Sequence, residues 1–322
     1  MIKKFFYLVI LNILIFPNFL DARSAVTYTF SGGRFGDDLL AYCHAKWISY
    51  KYDIPLLYRQ FPYSDQLNMH ILEEPFTEII TKNYKNILNI AQTYSYRIEP
   101  DQDILYVIPY FSESVLEQDN PRFFFRFPID WKDPNFKAEL KKMISPRLPL
   151  ELVKIPEGYI SVALHLRIGT GYDIANIQDY YLLDDPRCQL KFSPLTYYIH
   201  QLQATCEYYK NQPLYVHVFT DHTNPKELVD ILESHLKNSQ ITFGYRTEKN
   251  SHRLNVLEDF FSLLQFDCLI RPDAHFSFIA SKLAQYQLLI SPWHGDKKNN
   301  QFMIDQIDCE ILGKSTILAI KE

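Results

Sequence analysis

The sequence predicts an α/β protein made of two layered domains, and three observations carry that prediction. From residue 159 onward, strand-like apolar runs alternate with helical patterns of ten or more residues, which is typical of parallel strand–helix–strand units. After residue 25, a strand-like run leads through a glycine turn into a helix. A proline-rich stretch, 146–156, separates these two blocks and is the predicted linker. Two such layers would face a central cleft, a common position for small-molecule ligands.

The elements of the first block, 25–150, follow from residue type and periodicity. Residues 26–30 are β-branched and aromatic and predict a strand that enters the glycine turn. Apolar residues at spacings of three and four from Leu40 to Tyr50 predict a helix with Asp37 and Asp38 in its first turn. Similar patterns predict strands over 54–58 and 104–111 and helices over 76–91 and 134–144.

The second block, 151–322, contains the clearest alternation of strands and helices. Strands are predicted at 159–167, 214–220, 241–245, 268–271 and 288–291, and helices at 193–210, 225–236, 257–264 and 275–285. In parallel α/β sheets, ligands bind outside the carboxyl ends of the strands, so residues that directly follow a strand are the first candidates for function.

The N-terminus is typical of a secretory signal peptide. Lys3 and Lys4 precede an apolar run over 5–16, and small residues follow at Ala22, Ser24 and Ala25. The run is shorter than the roughly 20 residues needed to span a bilayer. We therefore expect residues 1–24 to be removed and the protein to work in the secretory lumen or to be exported, including to a periplasm. An uncleaved anchor, which would be its contact with a membrane, and a buried first element remain alternatives.

Composition excludes several classes of protein. With 47% hydrophobic and 22% charged residues, the chain is globular rather than disordered or fibrous. A net charge of -5 gives no electrostatic signature of nucleic-acid binding. The sequence has no HExxH, GxSxG or CxxC motif, which argues against metalloproteases and α/β-hydrolases, and we expect no metal. The five cysteines are expected to be free and mostly buried, or to form one or two disulfides if the chain is exported.

Glycine is scarce, at nine residues in 322, and two short windows hold most of it. In the window at 165–171, His165 and Arg167 alternate on a strand and so share one face, and Gly169 and Gly171 follow. A guanidinium at a strand end beside free N–H groups suits a diphosphate. The alternative is a His and Arg paired with acidic side chains at a domain edge.

The window at 32–38 combines a glycine loop with two carboxylates at a helix start. It is neither GxGxxG nor a Walker loop. The carboxylates oppose direct docking of a phosphate, so Asp37 or Asp38 would accept a proton or cap the helix. A plain turn is the alternative.

The run over 267–278 places a strand before a polar helix start. Backbone N–H groups and the Ser277 hydroxyl could hold a phosphate there. Asp267 could pair with a nucleobase that presents two donors. Simple capping by both residues is the alternative.

Taken together, these windows resemble the GDP-fucose-dependent fucosyltransferase superfamily, most closely the protein O-fucosyltransferases. Gly33-Arg34-Phe35-Gly36 is similar to that family's Gly-Arg-Phe-Gly-Asn-Gln loop, and His165-Leu166-Arg167 to its His-x-Arg motif. The segment from Asp267 to Phe276 and Ser277 looks like its nucleotide-binding segment.

The resemblance implies a GT-B fold of two Rossmann-like domains and an inverting, metal-independent transfer of fucose from GDP-fucose to a protein or glycan hydroxyl. Arg167 would neutralise the β-phosphate of the leaving GDP, with His165 contacting the nucleotide or positioning Arg167. Asp267 would bind guanine. The remaining implied binding residues are Phe276 and Ser277 at the diphosphate, Gly169 in the loop beside it, and Arg34, Phe35 and Gly36 in the N-terminal loop.

Two positions depart from the family pattern. Asp37 replaces the family's Asn, and we hypothesise that it is the general base for the acceptor hydroxyl. The acid expected soon after His-x-Arg is displaced, because position 171 is Gly and the nearest acid is Asp173. An α-1,2-type or other glycan fucosyltransferase, and a nucleotide-sugar-binding protein that has lost catalysis, remain alternatives.

Overall fold

The structure is a computed structural model that describes residues 23–90, 97–109, 128–168, 190–210, 212–237, 240–248, 250–251, 253–298 and 301–320. The predicted signal segment lies outside these residues except for its last two positions. Gly169, Gly171 and Asp173 also lie outside them, so the loop after Arg167 stays a prediction.

The N-terminal block contains short strands around one long helix. Its elements are β1 Ala25–Tyr28, α1 Phe35–Tyr52, β2 Leu57–Tyr58, α2 Met69–Leu72, β3 Glu74–Pro75, α3 Glu78–Thr81, β4 Asn86–Asn89, β5 Ile104–Ile108 and α4 Pro134–Ile144. Strands β1, β5 and β4 form a parallel sheet in that order, with Ala25 opposite Leu105 and Leu105 opposite Ile87.

The C-terminal block is a seven-stranded sheet with helices between its strands. Its elements are β6 Ile160–Leu166, α5 Leu195–Tyr208, β7 Leu214–Thr220, α6 Pro225–Leu236, β8 Ile241–Tyr245, α7 Val256–Leu263, β9 Cys268–Ile270, α8 His275–Leu283, β10 Leu288–Lys298, β11 Gln301–Ile311 and β12 Lys314–Ala319.

The strand order of this sheet, β12-β11-β10-β9-β6-β7-β8, decides where a ligand would bind. Strands β8, β7, β6, β9 and β10 are parallel. Their order is that of a doubly wound sheet: after β6 the chain adds β7 and β8 on one side and then β9 and β10 on the other, so the switch point lies between β6 and β9. The crevice expected of such a sheet therefore lies outside the carboxyl ends of β6 and β9. The predicted α/β class is confirmed, with parallel strands in the sheet of each block.

Helix α1 joins the two blocks. Every residue from Phe35 to Ser49 is buried, because α1 packs on β1 on one side and on α8 on the other. One hydrophobic core runs from Val26 through Leu39 to Phe260 and Ile279, and a second core fills the other face of the large sheet. The predicted linker contains no helix or strand, and its Val153 N–H donates to Ser262 Oγ at 2.9 Å.

Two predictions of secondary structure are wrong. The helix predicted over 76–91 is instead the single turn α3 followed by strand β4, which pairs with β5. Helical spacing of its apolar residues was outweighed by sheet pairing, in a segment rich in asparagine and β-branched isoleucine. The strand predicted to end at Ser291 continues to Lys298, and the antiparallel strands β11 and β12 extend the sheet beyond it.

The cysteine prediction holds where the structure describes it. Cys43, Cys268 and Cys309 are free and buried, and Cys206 is free and half-buried, whereas Cys188 lies outside the described residues. Within the described ranges, no helix combines the length and the hydropathy needed to cross a bilayer. Those ranges also contain no cluster of three His, Cys, Asp or Glu residues suited to a metal.

Candidate functional site

A cleft of about 630 Å³ lies between the two blocks at the carboxyl edge of the large sheet. One wall is the glycine loop and the start of α1, together with Tyr63. The opposite wall comes from the ends of β6 and β7, the segment before α7 and the start of α8. The lining residues with polar side chains are Arg34, Asp37, Tyr63, His165, Arg167, Thr220, Asp221, Ser251, Arg253, Asp259 and His275. The cleft thus coincides with the crevice that the strand order identifies.

His165 ties strand β6 to the start of helix α8. Its Nδ1 lies 2.8 Å from Ser277 Oγ, and its ring centroid is 5.6 Å from that of Phe276. Burial, reinforced by the charges of Arg167 and Arg271, lowers the pKa of His165 to about 3, so the imidazole is neutral at physiological pH. His165 can therefore hydrogen-bond and position its neighbours, but it does not contribute a positive charge.

Arg167 follows β6 directly and lies in the same cleft as His165, as their alternation on the strand predicted. Its guanidinium carbon is 5.2 Å from the centre of the Phe192 ring, which holds the planar group from one side. Arg34 and Arg253 bring two further guanidinium groups to the cleft lining. The cleft therefore combines basic groups with the N-terminus of α8, a combination suited to an anion.

Asp221 is a functional candidate that the sequence reasoning missed. It follows β7 directly, and its carboxylate accepts a hydrogen bond from the Ile168 N–H at 2.8 Å and one from Arg34 Nη1 at 3.4 Å. One carboxylate therefore connects the backbone after Arg167 to the opposite wall. Its position at the carboxyl end of a predicted strand was the signal that could have identified it.

The two walls meet where helices α1 and α8 begin. A Cβ atom on Gly36 would lie 2.5 Å from the Phe276 nitrogen, so only glycine allows this approach. A Cβ on Gly33 would lie 2.2 Å from Asp37 Oδ2, which shows that the loop is shaped around that carboxylate. Close packing, rather than a positive φ, thus explains both glycines.

Asp37 is bonded on both sides of this joint. Its Oδ2 accepts from the Arg34 N–H at 3.0 Å, and its Oδ1 lies 2.6 Å from His275 Nδ1. Burial opposes the charge on Asp37, but the hydrogen bond and charge of His275, with Lys191 and the Arg34 N–H, hold its pKa well below the usual range. Asp37 is thus a helix cap and a strongly held carboxylate, and such a group is a weak base.

Two other carboxyl groups near the cleft have raised rather than lowered pKa values. Burial, and then the charge of Asp37, raises the pKa of Asp38 to about 7. Burial raises the pKa of Asp259 to about 6, although Arg246, at 2.7 Å, counteracts it. Asp259 lines the cleft and was not predicted, because it lies inside helix α7 rather than at a strand end.

The predicted role of Asp267 is corrected by its position. Asp267 precedes β9 and so lies at the amino edge of the sheet, opposite the cleft. Its carboxylate accepts from the N–H and the hydroxyl of Ser161, at 3.0 and 2.7 Å, and from Gln287 Nε2 at 2.9 Å. It joins the beginnings of three strands and cannot reach a nucleobase in the cleft.

The other predicted binding residues gather at the joint of the two walls. Phe35 and Phe276 line the cleft, and their ring centroids are 6.3 Å apart. Ser277 is buried behind them, where it contacts His165 rather than lining the cleft. Gly169 lies outside the described residues. Of the predicted set, the structure thus brings all the described residues except Asp267 to this region.

Comparison with known proteins finds similar solved structures at low sequence identity. The chain matches no family model and no curated protein. Solved structures similar to it include a mutant of Arabidopsis thaliana FUT1 in complex with GDP, at 12% identity and a TM-score of 0.48, covering 86% of this chain and 72% of that one. POFUT1 in complex with GDP-fucose is similar at 13% identity and a TM-score of 0.40, covering 82% of this chain and 94% of that one.

A third similar structure is NodZ, an alpha-1,6-fucosyltransferase soaked with GDP-fucose. It is 12% identical with a TM-score of 0.42, and the match covers 92% of this chain and 99% of that one. The structures of FUT1 and POFUT1 were determined with GDP and with GDP-fucose, respectively. At this identity we rest the functional proposal on the geometry of the cleft.

Proposed function

We propose that the chain is an inverting, metal-independent glycosyltransferase that transfers fucose from GDP-fucose to a hydroxyl of a protein or glycan acceptor. The observation that carries the proposal is the convergence of Arg167, neutral His165 and the start of helix α8 at one crevice, with the glycine loop as its opposite wall. These are the residues on which the resemblance to protein O-fucosyltransferases depends.

Fucosyl transfer requires a fixed positive charge beside the β-phosphate, where the bond between fucose and GDP breaks. Transfer from a nucleotide sugar proceeds through an oxocarbenium-like transition state, as glycoside hydrolysis does, while negative charge grows on the leaving phosphate. Arg167 lies at the end of a rigid strand with its guanidinium against Phe192, so it needs little reorganisation to stabilise that charge. Arg34 and the N–H groups at the start of α8 supply further positive potential.

His165 supports this arrangement without competing for the charge. As a neutral imidazole bonded to Ser277, it fixes the start of α8 against β6, the strand that ends in Arg167. A protonated His165 would repel Arg167 and cost the site part of its preorganisation.

Binding and turnover test the proposal directly. Isothermal titration with GDP should show binding, and GDP-fucose should release fucose when incubated with the protein. Arg167→Ala should lower turnover by about 100- to 1000-fold, because the loss of one preorganised donor costs roughly 2.7–4 kcal/mol of barrier. Lys226→Ala, at an exposed surface pair with Asp230, is the matched control and should leave both measurements unchanged.

A comparison of different nucleotide sugars identifies which nucleotide the cleft binds. A thermal-shift series with GDP, UDP and CMP sugars should show stabilisation by the guanosine compounds, amounting to about 2.7 kcal/mol at 100 times the dissociation constant. Stabilisation by UDP sugars alone would refute the donor assignment. Binding of GDP without turnover would instead indicate a nucleotide-sugar-binding protein.

We also propose that this reaction takes place outside the cytosol, on the basis of the N-terminal sequence pattern. Mass spectrometry of the mature protein from its source should then find an N-terminus near residue 25. An intact Met1 would contradict cleavage.

A further inference from the structure

We propose that His275 is the general base that deprotonates the acceptor hydroxyl, and that Asp37 is the positioning residue that orients it. The inference rests on the proposed function and adds the group that receives the proton. It starts from a buried contact across the joint of the two walls: His275 Nδ1 and Asp37 Oδ1 are 2.6 Å apart, and their side chains are 10% and 12% exposed.

The contact fixes which ring nitrogen carries the proton. The surroundings of Asp37 keep its carboxylate ionised, and an ionised carboxylate accepts hydrogen bonds but donates none. Nδ1 of His275 must therefore donate to Asp37. In the neutral ring, Nε2 is then the basic atom, which is the arrangement by which an acid orients a catalytic histidine in hydrolytic triads.

The fold holds the ring in place at the cleft. His275 is the first residue of α8 and lines the cleft with Arg167 and Phe276. Asp37 is fixed in turn by the Arg34 N–H, and the contact of Gly36 with Phe276 sets the distance between the two helices. Lys191 adds positive charge near Asp37, and Arg34 and Arg167 face the same cleft.

The step balances without a further reactant. The acceptor O–H bond breaks and its proton moves to His275 Nε2. The acceptor oxygen forms a bond to the anomeric carbon of fucose as the bond from that carbon to the β-phosphate oxygen breaks. The electron pair of that bond leaves with GDP, where Arg167 stabilises it. Asp37 then stabilises the imidazolium that has formed.

The Asp37→Asn variant tests whether Asp37 orients the His275 ring or only packs against it. If Asp37→Asn keeps its oxygen on the Arg34 N–H, its amide NH₂ must face His275 Nδ1. That nitrogen would then have to accept, and the ring proton would move to Nε2, where it blocks proton uptake. The variant should keep the helix cap and lose most of the turnover.

The chain offers a matched control. His294 and Asp305 form the same kind of pair, with Nδ1 and Oδ1 2.7 Å apart, on strands β10 and β11 and outside the cleft lining. His294→Gln removes an imidazole paired with an aspartate but leaves the cleft intact.

The experiment measures GDP affinity by titration and GDP release from GDP-fucose with water as acceptor, over a range of pH. We expect His275→Gln to bind GDP as the wild type does and to lose about 100-fold or more in kcat, the usual contribution of a general base. The fall in log kcat at acid pH should disappear with it, because it reports protonation of the base. His275→Ala should regain activity on addition of free imidazole, and His294→Gln should match the wild type.

The outcomes separate the two proposals. A wild-type protein that neither binds GDP nor cleaves GDP-fucose refutes the proposed function, and the role of His275 in glycosyl transfer falls with it. A wild-type protein that is active together with an equally active His275→Gln variant overturns only the base. Loss of GDP binding and thermal stability in His275→Gln, together with no rescue of His275→Ala by imidazole, would show a structural role and would also overturn it.

Discussion

The close contact of helices α1 and α8 makes Gly36 the most sensitive position in the joint. In Gly36→Ala, the new Cβ would lie 2.5 Å from the Phe276 nitrogen and 2.8 Å from its Cα, whereas ordinary contact begins at 3.4 Å. The atoms it meets are backbone atoms at the start of a helix, so no side-chain rotation can relieve the clash. The helices must separate by several tenths of an ångström.

The expected loss of folding stability in Gly36→Ala is the difference between two opposing effects. Overpacking costs about 1–3 kcal/mol, and alanine recovers up to about 1 kcal/mol in helix propensity, so the net loss should be about 1–2 kcal/mol. Separation of the helices also stretches the contact of Asp37 with His275, because these residues adjoin the two that clash. Misplacement by about 1 Å can cost 100-fold in rate, so a loss of roughly tenfold in kcat is expected for a smaller shift.

Urea unfolding and GDP release from GDP-fucose measure the two effects separately. Gly158→Ala is the matched control, because Gly158 lies outside the cleft lining, has the left-handed φ of +82° and leaves no atom within 4 Å of the position its new Cβ would take. Alanine there should cost about 1–2 kcal/mol in backbone strain without pushing the helices apart. Both variants should therefore lose similar stability, but only Gly36→Ala should lose turnover. Wild-type stability and turnover in Gly36→Ala would refute the tight joint, and equal losses of turnover in both variants would refute its link to the chemistry.

Two further predictions concern buried charge. Lys46 bonds to Glu73 at 2.9 Å with both side chains under 10% exposed, so Lys46→Met should cost about 3–5 kcal/mol in urea unfolding by leaving a buried carboxylate without its cation, whereas Lys51→Met should cost far less. The raised pKa of Asp38, about 7 against 3.8, means that the folded chain holds a proton which the unfolded chain releases, so this group's contribution to stability is present below pH 3.8 and is lost as pH rises to about 7. Asp38→Asn should remove that loss, and the stability gain of the variant over the wild type should grow from pH 4 to pH 7; a gain that shrinks with rising pH would contradict the assignment.

The sequence was most informative where each strand and helix is long and regularly patterned. The bounds predicted for β7 and α6 agree with the structure, because a buried parallel strand is a continuous apolar run and its helix shows one apolar face. The short segment around β4 has too few residues for either period to be decisive, and there the pairing with β5 chose the structure. Strands β11 and β12 were missed because their residues are largely half-buried or exposed, which weakens the apolar pattern.

Prediction of the site depended on which end of a strand a residue occupies. Arg167 follows β6 and lies in the cleft, whereas Asp267 precedes β9 and lies at the opposite edge. Chain order alone separates these two cases, so the rule that ligands bind at carboxyl ends would have excluded Asp267 and pointed to Asp221. No such rule reveals the partner of Asp37, because His275 is distant in sequence and meets it only when the two helices pack.

That distant pairing explains why the glycine window at 32–38 matters for a reason other than backbone freedom. Glycine is often needed where φ is positive, but Gly33 and Gly36 are instead positions where a carboxylate and a helix need the space of a missing Cβ. A flexible loop could bring Asp37 to His275 only part of the time. The packed joint holds the two atoms at 2.6 Å beside the cleft, and it is anchored in a core that continues through both blocks. Preorganisation of this kind is what electrostatic catalysis requires, since a group already in place need not be reoriented when charge develops.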